Sequence, residues 1–138
     1  MNLAEIKEFL LLTPRTGKLA TVREDGRPHV VPIWFDLDGE DLVFTTWHTT
    51  VKATNIRRDS RVSVCVDDQK PPFAFVMIEG EAELDEHPGD LEYWAARIAG
   101  RYMGPELAES YGKRNAVEGE LLVRVKPTNI IARKNIAD

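Results

Sequence analysis

The sequence predicts a mainly β fold: a small antiparallel barrel with helices packed outside it. Three observations carry that expectation. Short segments rich in β-branched and aromatic residues recur along most of the chain, tight turns at Asp25-Gly26 and Asp38-Gly39 join the first of them, and helical spacing of apolar residues is confined to a few stretches. With 138 residues, against roughly 100–200 per domain, the reading is one domain spanning 1–138. A chain of this size buries about two-thirds of its extended surface, so one core suffices without disulfide or metal staples.

Taken in order, the chain opens on a short helix. Asn2 can cap it, Glu5 completes a capping-box pattern, and Leu3, Ile6, Phe9 and Leu10 share one face. Thr13-Pro14-Arg15-Thr16-Gly17 breaks it, and Lys18 to Val22 follows as a strand. Across the Asp25-Gly26 turn, His29 to Leu37 returns as a second strand, in which Pro32 lacks a backbone donor and calls for a bulge or an unpaired edge. After Asp38-Gly39, Leu42 to Thr46 is the third, so these three are expected to form a meander. Trp47 to Thr50 is a polar loop before a two-turn helix, Val51 to Arg58, and Arg61 to Val66 is the fourth strand. Pro71-Pro72 closes a loop that no strand accommodates; Phe73 to Leu84 is a long fifth strand with a bulge or bend at Gly80. Pro88 is expected to open a longer helix with Leu91, Trp94, Ala95, Ile98 and Tyr102 along its buried stripe, and Pro105 to Tyr111 a shorter one. Leu121 to Val125 and Ile130 to Arg133 read as two closing strands around Pro127-Thr128-Asn129.

Composition narrows the function classes. Eighteen basic residues against twenty-three acidic ones leave a formal charge of −5, which argues against a broad nucleic-acid or anionic-membrane surface. No apolar run approaches the roughly 18 residues that span a bilayer. The start, Met1 to Glu5, lacks the basic region of a signal peptide, and the lone Cys65 fits a reducing compartment, so a cytoplasmic location is expected. His29, His48 and His87 are scattered with no zinc-ligand spacing, and neither a nucleophile elbow, a Walker loop nor a dinucleotide glycine fingerprint occurs.

One stretch carries chemistry. Thr45, Thr46, Thr49, Thr50 and Lys52 gather between a strand end and a helix start. First-turn amides lack intrahelical partners and carry partial positive charge, which favours anions. Hydroxyls add directional bonds and lysine a compact charge, and lysine in a first turn opposes the helix dipole unless an anion lies nearby. Together they outline a phosphate seat; the same residues also read as a threonine-rich cap with a solvated lysine. Trp34, Phe35, Trp47, Phe73 and Phe75 could wall a flat heterocycle or simply fill the core, and Arg57 and Arg58 could face a ligand or complement the helix end.

In combination the motifs are more specific. Leu19 to Phe35, Leu42 to Thr46, Lys52 to Val62, Gly80-Glu81-Ala82 and Val125-Lys126-Pro127 resemble the flavin and deazaflavin split-barrel family related to pyridoxamine 5'-phosphate oxidase, most of all its small branch of coenzyme F-420-dependent reductases. The resemblance implies an FMN-binding type of split antiparallel β-barrel with six to seven strands and peripheral helices, paired as a homodimer with two cofactor sites at the interface. It implies that Thr45, Thr46 and Lys52 hold the cofactor phosphate, with Thr50 nearby and Asn55 supporting the turn. Pro32, Ile33 and Trp34, preceded by Val31, would pass beside the tricyclic ring, and Phe73 and Phe75 would cover it from the second subunit. Where many relatives carry an arginine or another polar residue two places before the lysine, this chain has Thr50, which makes the clamp less basic.

The activity implied is that of an oxidoreductase moving a hydride between coenzyme F-420, or alternatively FMN, and an unsaturated small molecule. The hydride sits on ring carbon five of a deazaflavin or nitrogen five of a flavin. No side chain stands out as a general acid or base. Arg57, Arg58, Lys113 and Arg114 are candidates for the anionic tail of the deazaflavin, and residues 67–72 and 101–111 for the substrate walls. The contrasting class is a non-catalytic flavin or haem carrier on the same barrel, with His29 or His48 as axial ligand.

Overall fold

The computed structural model describes residues 1–138. Four helices and seven strands alternate as α1 (Leu3–Leu12), β1 (Gly17–Val22), β2 (Pro28–Ile33), β3 (Asp36–Asp38), β4 (Asp41–Trp47), α2 (Val51–Arg58), β5 (Arg61–Asp68), β6 (Ala74–Asp85), α3 (Leu91–Met103), α4 (Pro105–Asn115) and β7 (Glu120–Arg133). All seven strands belong to one antiparallel sheet in the order β2-β1-β5-β6-β7-β4-β3. Its two edge strands, β2 and β3, are successive pieces of the chain separated only by Trp34 and Phe35. Two residues cannot bridge the width of a flat seven-stranded sheet, since neighbouring strands lie about 4.8 Å apart. The sheet therefore curls into a barrel whose seam, between β2 and β3, is split.

This order corrects the meander expectation. The hairpins β1–β2 and β3–β4 form as their turns predict, but β4 pairs with β7 and lies far from β2 in the sheet. The second strand predicted over His29 to Leu37 is broken at its middle. Its backbone groups there are taken over by α3: the Phe35 N–H donates to the Tyr102 hydroxyl at 3.3 Å, and Arg101 donates to the Phe35 carbonyl. Arg101 also reaches the Leu10 carbonyl at 3.0 Å, and the Tyr102 hydroxyl donates to the Arg15 carbonyl at 2.8 Å. Side chains 66 and 67 residues downstream thus supply bonds that a ladder would otherwise make, which no local pattern announces.

The other departures are local. α3 begins at Leu91 rather than Pro88, with Asp90 at its N-cap, and α4 continues to Asn115. The two closing strands are one continuous β7, kinked where the register to β6 shifts at Glu79/Gly80 and Thr128 becomes the extra residue. Gly80 is required there: a Cβ would lie 2.4 Å from the Lys126 carbonyl oxygen. The predicted bulge at Gly80 and the edge position of Pro32 are both present.

Alternation along the strands sorts two cores. Leu19, Phe35, Leu42, Phe44, Val64, Val66, Val76, Val123 and Val125 are fully enclosed inside the barrel, and Leu10 of α1 plugs one end. On the outer face, Val43 of β4 and Leu122 of β7 pack under Leu91 and Trp94 of α3. Asp36, buried, holds Arg97 of α3 at 3.1 Å and accepts from the Leu37 N–H at 2.8 Å. No helix is long and apolar enough to cross a membrane.

Candidate functional site

β4 shows why neighbouring threonines part company. Successive strand residues face opposite sides, so Leu42, Phe44 and Thr46 point into the barrel while Val43 and Thr45 point outward toward α3. Thr46 is buried and bonds the Thr50 hydroxyl at 2.8 Å. Thr50 caps α2, accepting from the Ala53 N–H at 3.3 Å and donating to the Trp47 carbonyl at 3.0 Å. A hydroxyl has one proton, so Thr46 is the donor in their mutual bond. These two threonines therefore fasten β4 to α2 and set the direction in which α2 leaves the sheet.

That direction places Lys52 over a cleft of about 280 Å³ lined by Pro32, Ile33 and Trp34 on one side and by Ala95, Ile98 and Ala99 of α3 on the other, with Thr45, Lys52 and Asn115 supplying its polar groups. Trp34 stacks on Tyr102 with ring centroids 5.0 Å apart and planes 2° from parallel, which fixes the indole against α3. The alanines, one turn apart on α3, leave the space between indole and helix open. Lys52 is half-buried, yet it makes no hydrogen bond and no ion pair within the chain. Burial pulls its ammonium below the ordinary lysine value, an effect that nearby Glu120 partly offsets. A partly desolvated, unpartnered cation beside an apolar slot has the chemistry to take an anion.

Five residues expected at a cofactor site line this cleft: Pro32, Ile33, Trp34, Thr45 and Lys52. Thr46 and Thr50 lie behind it as the fastening just described. Asn55 is buried and structural, donating to the Thr21 hydroxyl at 3.0 Å and accepting from Arg58. Phe73 and Phe75 stand at the start of β6 and are not among the cleft walls. Neither Arg57 nor Arg58 is free for an anionic tail: Arg57 pairs with Glu86 at 3.0 Å and Arg58 bonds the Val22 carbonyl. Lys113 pairs with Glu109 at 3.1 Å. Residues 67–72 also lie outside the cleft.

Sequence reasoning missed Asn115, the α3 alanines as walls, and Glu120. Glu120 is half-buried at the start of β7; burial pushes its carboxyl above the usual range, while the Thr45 hydroxyl and Lys52 oppose that rise. Ala95 was legible as part of a buried stripe, but the stripe does not say which neighbour a helix leaves uncovered. His29 of β2 has a buried Nδ1 with no partner, and burial, then Arg23 and Lys52, push it toward the neutral form. Among the His, Cys, Asp and Glu side chains no group of three or more is arranged to hold a metal ion.

Comparison with known proteins agrees with this architecture. The family model for pyridoxamine 5'-phosphate oxidase matches residues 3–134. The crystal structure of the conserved hypothetical protein Rv2991 from Mycobacterium tuberculosis is similar, at 30% identity and a TM-score of 0.86, over 98% of this chain and 86% of that one. An F420 reductase is 31% identical with a TM-score of 0.70, covering 90% of this chain and 94% of the other. The haem storage protein HutZ from Vibrio cholerae, at 22% identity and a TM-score of 0.72 over 94% and 92% of the two chains, shares the fold. The family match runs from the first residue of α1 past the end of β7, and the chain belongs to the pyridoxamine 5'-phosphate oxidase family.

Proposed function

We propose that this protein is an oxidoreductase that binds coenzyme F-420 in the cleft and serves the reduction of an unsaturated small molecule. One observation carries the reading: the unpartnered, half-buried Lys52 ammonium beside the slot between Pro32–Trp34 and α3. A phosphate-bearing tricycle needs an anion seat and an apolar slot together, and this cleft has both. The F420 reductase at 31% identity supports the deazaflavin as occupant. FMN suits the same anchor and is the alternative cofactor.

In this reading Lys52 binds the phosphate, and Thr45, whose hydroxyl turns to Glu120, lines the seat beside it. Trp34, held by Tyr102, orients the ring edge, and Ala95, Ile98 and Ala99 exclude water from its other side. The bound cofactor supplies the hydride chemistry. About 280 Å³ is at the small end for such a site, since pockets for drug-sized ligands run from about 300 to 1,000 Å³. One chain therefore covers only part of the cofactor. Val30, Trp34, Trp47 and Val51 expose apolar surface on the segments that build the cleft, and a homodimer would bury them and bring Phe73 and Phe75 of the second copy to the ring.

The test is the absorbance spectrum of freshly purified protein followed by titration with F-420, read by quenching of the deazaflavin fluorescence. A colourless protein that quenches F-420 at micromolar concentration is expected. A yellow protein with flavin bands assigns the cleft to FMN instead, and no binding of either cofactor at micromolar concentration overturns the proposal.

A further inference from the structure

The Lys52 seat has a carboxylate beside it. Glu120 lies opposite Trp47 on β7 and diagonal to Thr45, whose side chain lines the cleft. It lines a groove with Glu86, His87, Glu92 and Glu118, on the strand paired with the one that carries Thr45. Glu120 and Lys52 are both half-buried and sense each other, yet they do not close into an ion pair within 4.0 Å. An open pair of this kind leaves the ammonium available to a ligand while keeping a negative charge within range of whatever binds.

We propose that Glu120 makes the Lys52 seat select by charge, accepting a phosphodiester monoanion and disfavouring a phosphomonoester dianion. This rests on Lys52 being the phosphate anchor. Repulsion from a fixed carboxylate is proportional to ligand charge, so its energy doubles from monoanion to dianion and its effect on affinity is squared. FMN carries a phosphomonoester, a dianion above its second pKa of about 6. Coenzyme F-420 carries its phosphate as a diester with one negative charge. Of the other charged groups around Glu120, Glu92 from α3 and Glu118 from the turn before β7 add negative potential, while Glu86 from the segment before α3 is paired with Arg57 of α2. His87 from the same segment, His48 across Gly119 and His29 from β2 beside Lys52 oppose it only when protonated. Burial raises the Glu120 carboxyl, so the discrimination weakens as pH falls and the group takes up its proton.

The experiment compares wild type and Glu120→Gln, titrated at pH 8 with FMN and with its phosphate methyl ester by quenching of flavin fluorescence, two ligands that differ only in phosphate charge, whereas F-420 adds the carboxylates of its tail. Removing the carboxylate should tighten the methyl ester by about threefold and FMN by about the square of that, roughly tenfold. Equal gains for both ligands, no gain, or a larger gain for the methyl ester overturns the proposal. If wild type binds neither of these ligands nor F-420, the proposed function falls, and sulfate then decides the role of Glu120. Sulfate stays a dianion across pH 5–8; it should raise the thermal midpoint of the variant more than that of wild type at pH 8, and the two should converge as pH falls. Equal shifts at pH 8, or no shift in either protein, overturns it. Gln keeps the bonding capacity toward Thr45 and removes only the charge, so the unliganded variant should unfold no lower than wild type.

Discussion

Replacing Lys52 by alanine removes the sole cationic head group among the cleft walls and takes away no bond that the chain makes to itself. Every bond the ammonium forms is therefore a bond to ligand. A hydrogen bond to a charged group contributes about 1.5–3 kcal/mol, which corresponds to a Kd weaker by roughly 10- to 150-fold. The half-buried setting keeps salt from screening much of that contribution. Stability should move the other way or not at all, because burial already disfavours the charged ammonium. Two measurements decide the matter: F-420 titration of wild type and Lys52→Ala by fluorescence quenching, and the thermal midpoint of each without ligand. An affinity within twofold of wild type would move the anchor elsewhere. A midpoint several degrees lower would mean that Lys52 holds the fold together, which contradicts its lack of partners.

Four further outcomes follow from the packing. Gly80→Ala sets a Cβ 2.4 Å from the Lys126 carbonyl oxygen, so the β6–β7 bulge must shift and urea unfolding should show a loss of about 1–3 kcal/mol. Tyr102→Phe keeps the stack on Trp34 but leaves the Phe35 N–H and the Arg15 carbonyl without their partner, at about 1–3 kcal/mol in the same assay. Phe44→Ala empties a fully enclosed site in the barrel and should cost about 3–5 kcal/mol with an unchanged denaturant slope. Asp59, bonded by the Arg61 side chain and backbone, is held at about 2 from an ordinary value of 3.8. A depressed carboxyl stabilises the fold above its unfolded value, and that contribution disappears as pH falls through the folded one. The advantage of wild type over Asp59→Asn should thus be constant above about pH 5 and be lost progressively toward pH 1; an advantage undiminished at pH 2 would refute the assignment.

What the sequence determined by itself is local. The Asn2–Glu5 capping box, the hairpin turns at Gly26 and Gly39, the bulge at Gly80, the edge placement of Pro32 and the apolar stripe of α3 all appear where their residues announce them. Each depends on contacts within a few residues or on a backbone property of one residue, and such constraints are written in consecutive letters. Lys52 stood out for a related reason, since a lysine in a first helical turn is locally unfavourable, whereas the Pro32–Trp34 segment was expected at the site only from the family resemblance.

The tertiary structure decided which distant pieces meet. It put β7 between β6 and β4 in place of a meander, broke one long strand at Trp34–Phe35 by giving its backbone groups to Arg101 and Tyr102, turned Thr45 toward the cleft and Thr46 away from it, and brought Glu120 beside Lys52. These pairings span up to 83 residues of chain. They are selected by how the whole barrel closes over its core, because a sheet whose two edges are joined by two residues can exist only curled, and the curl fixes which side chains face one another across the seam.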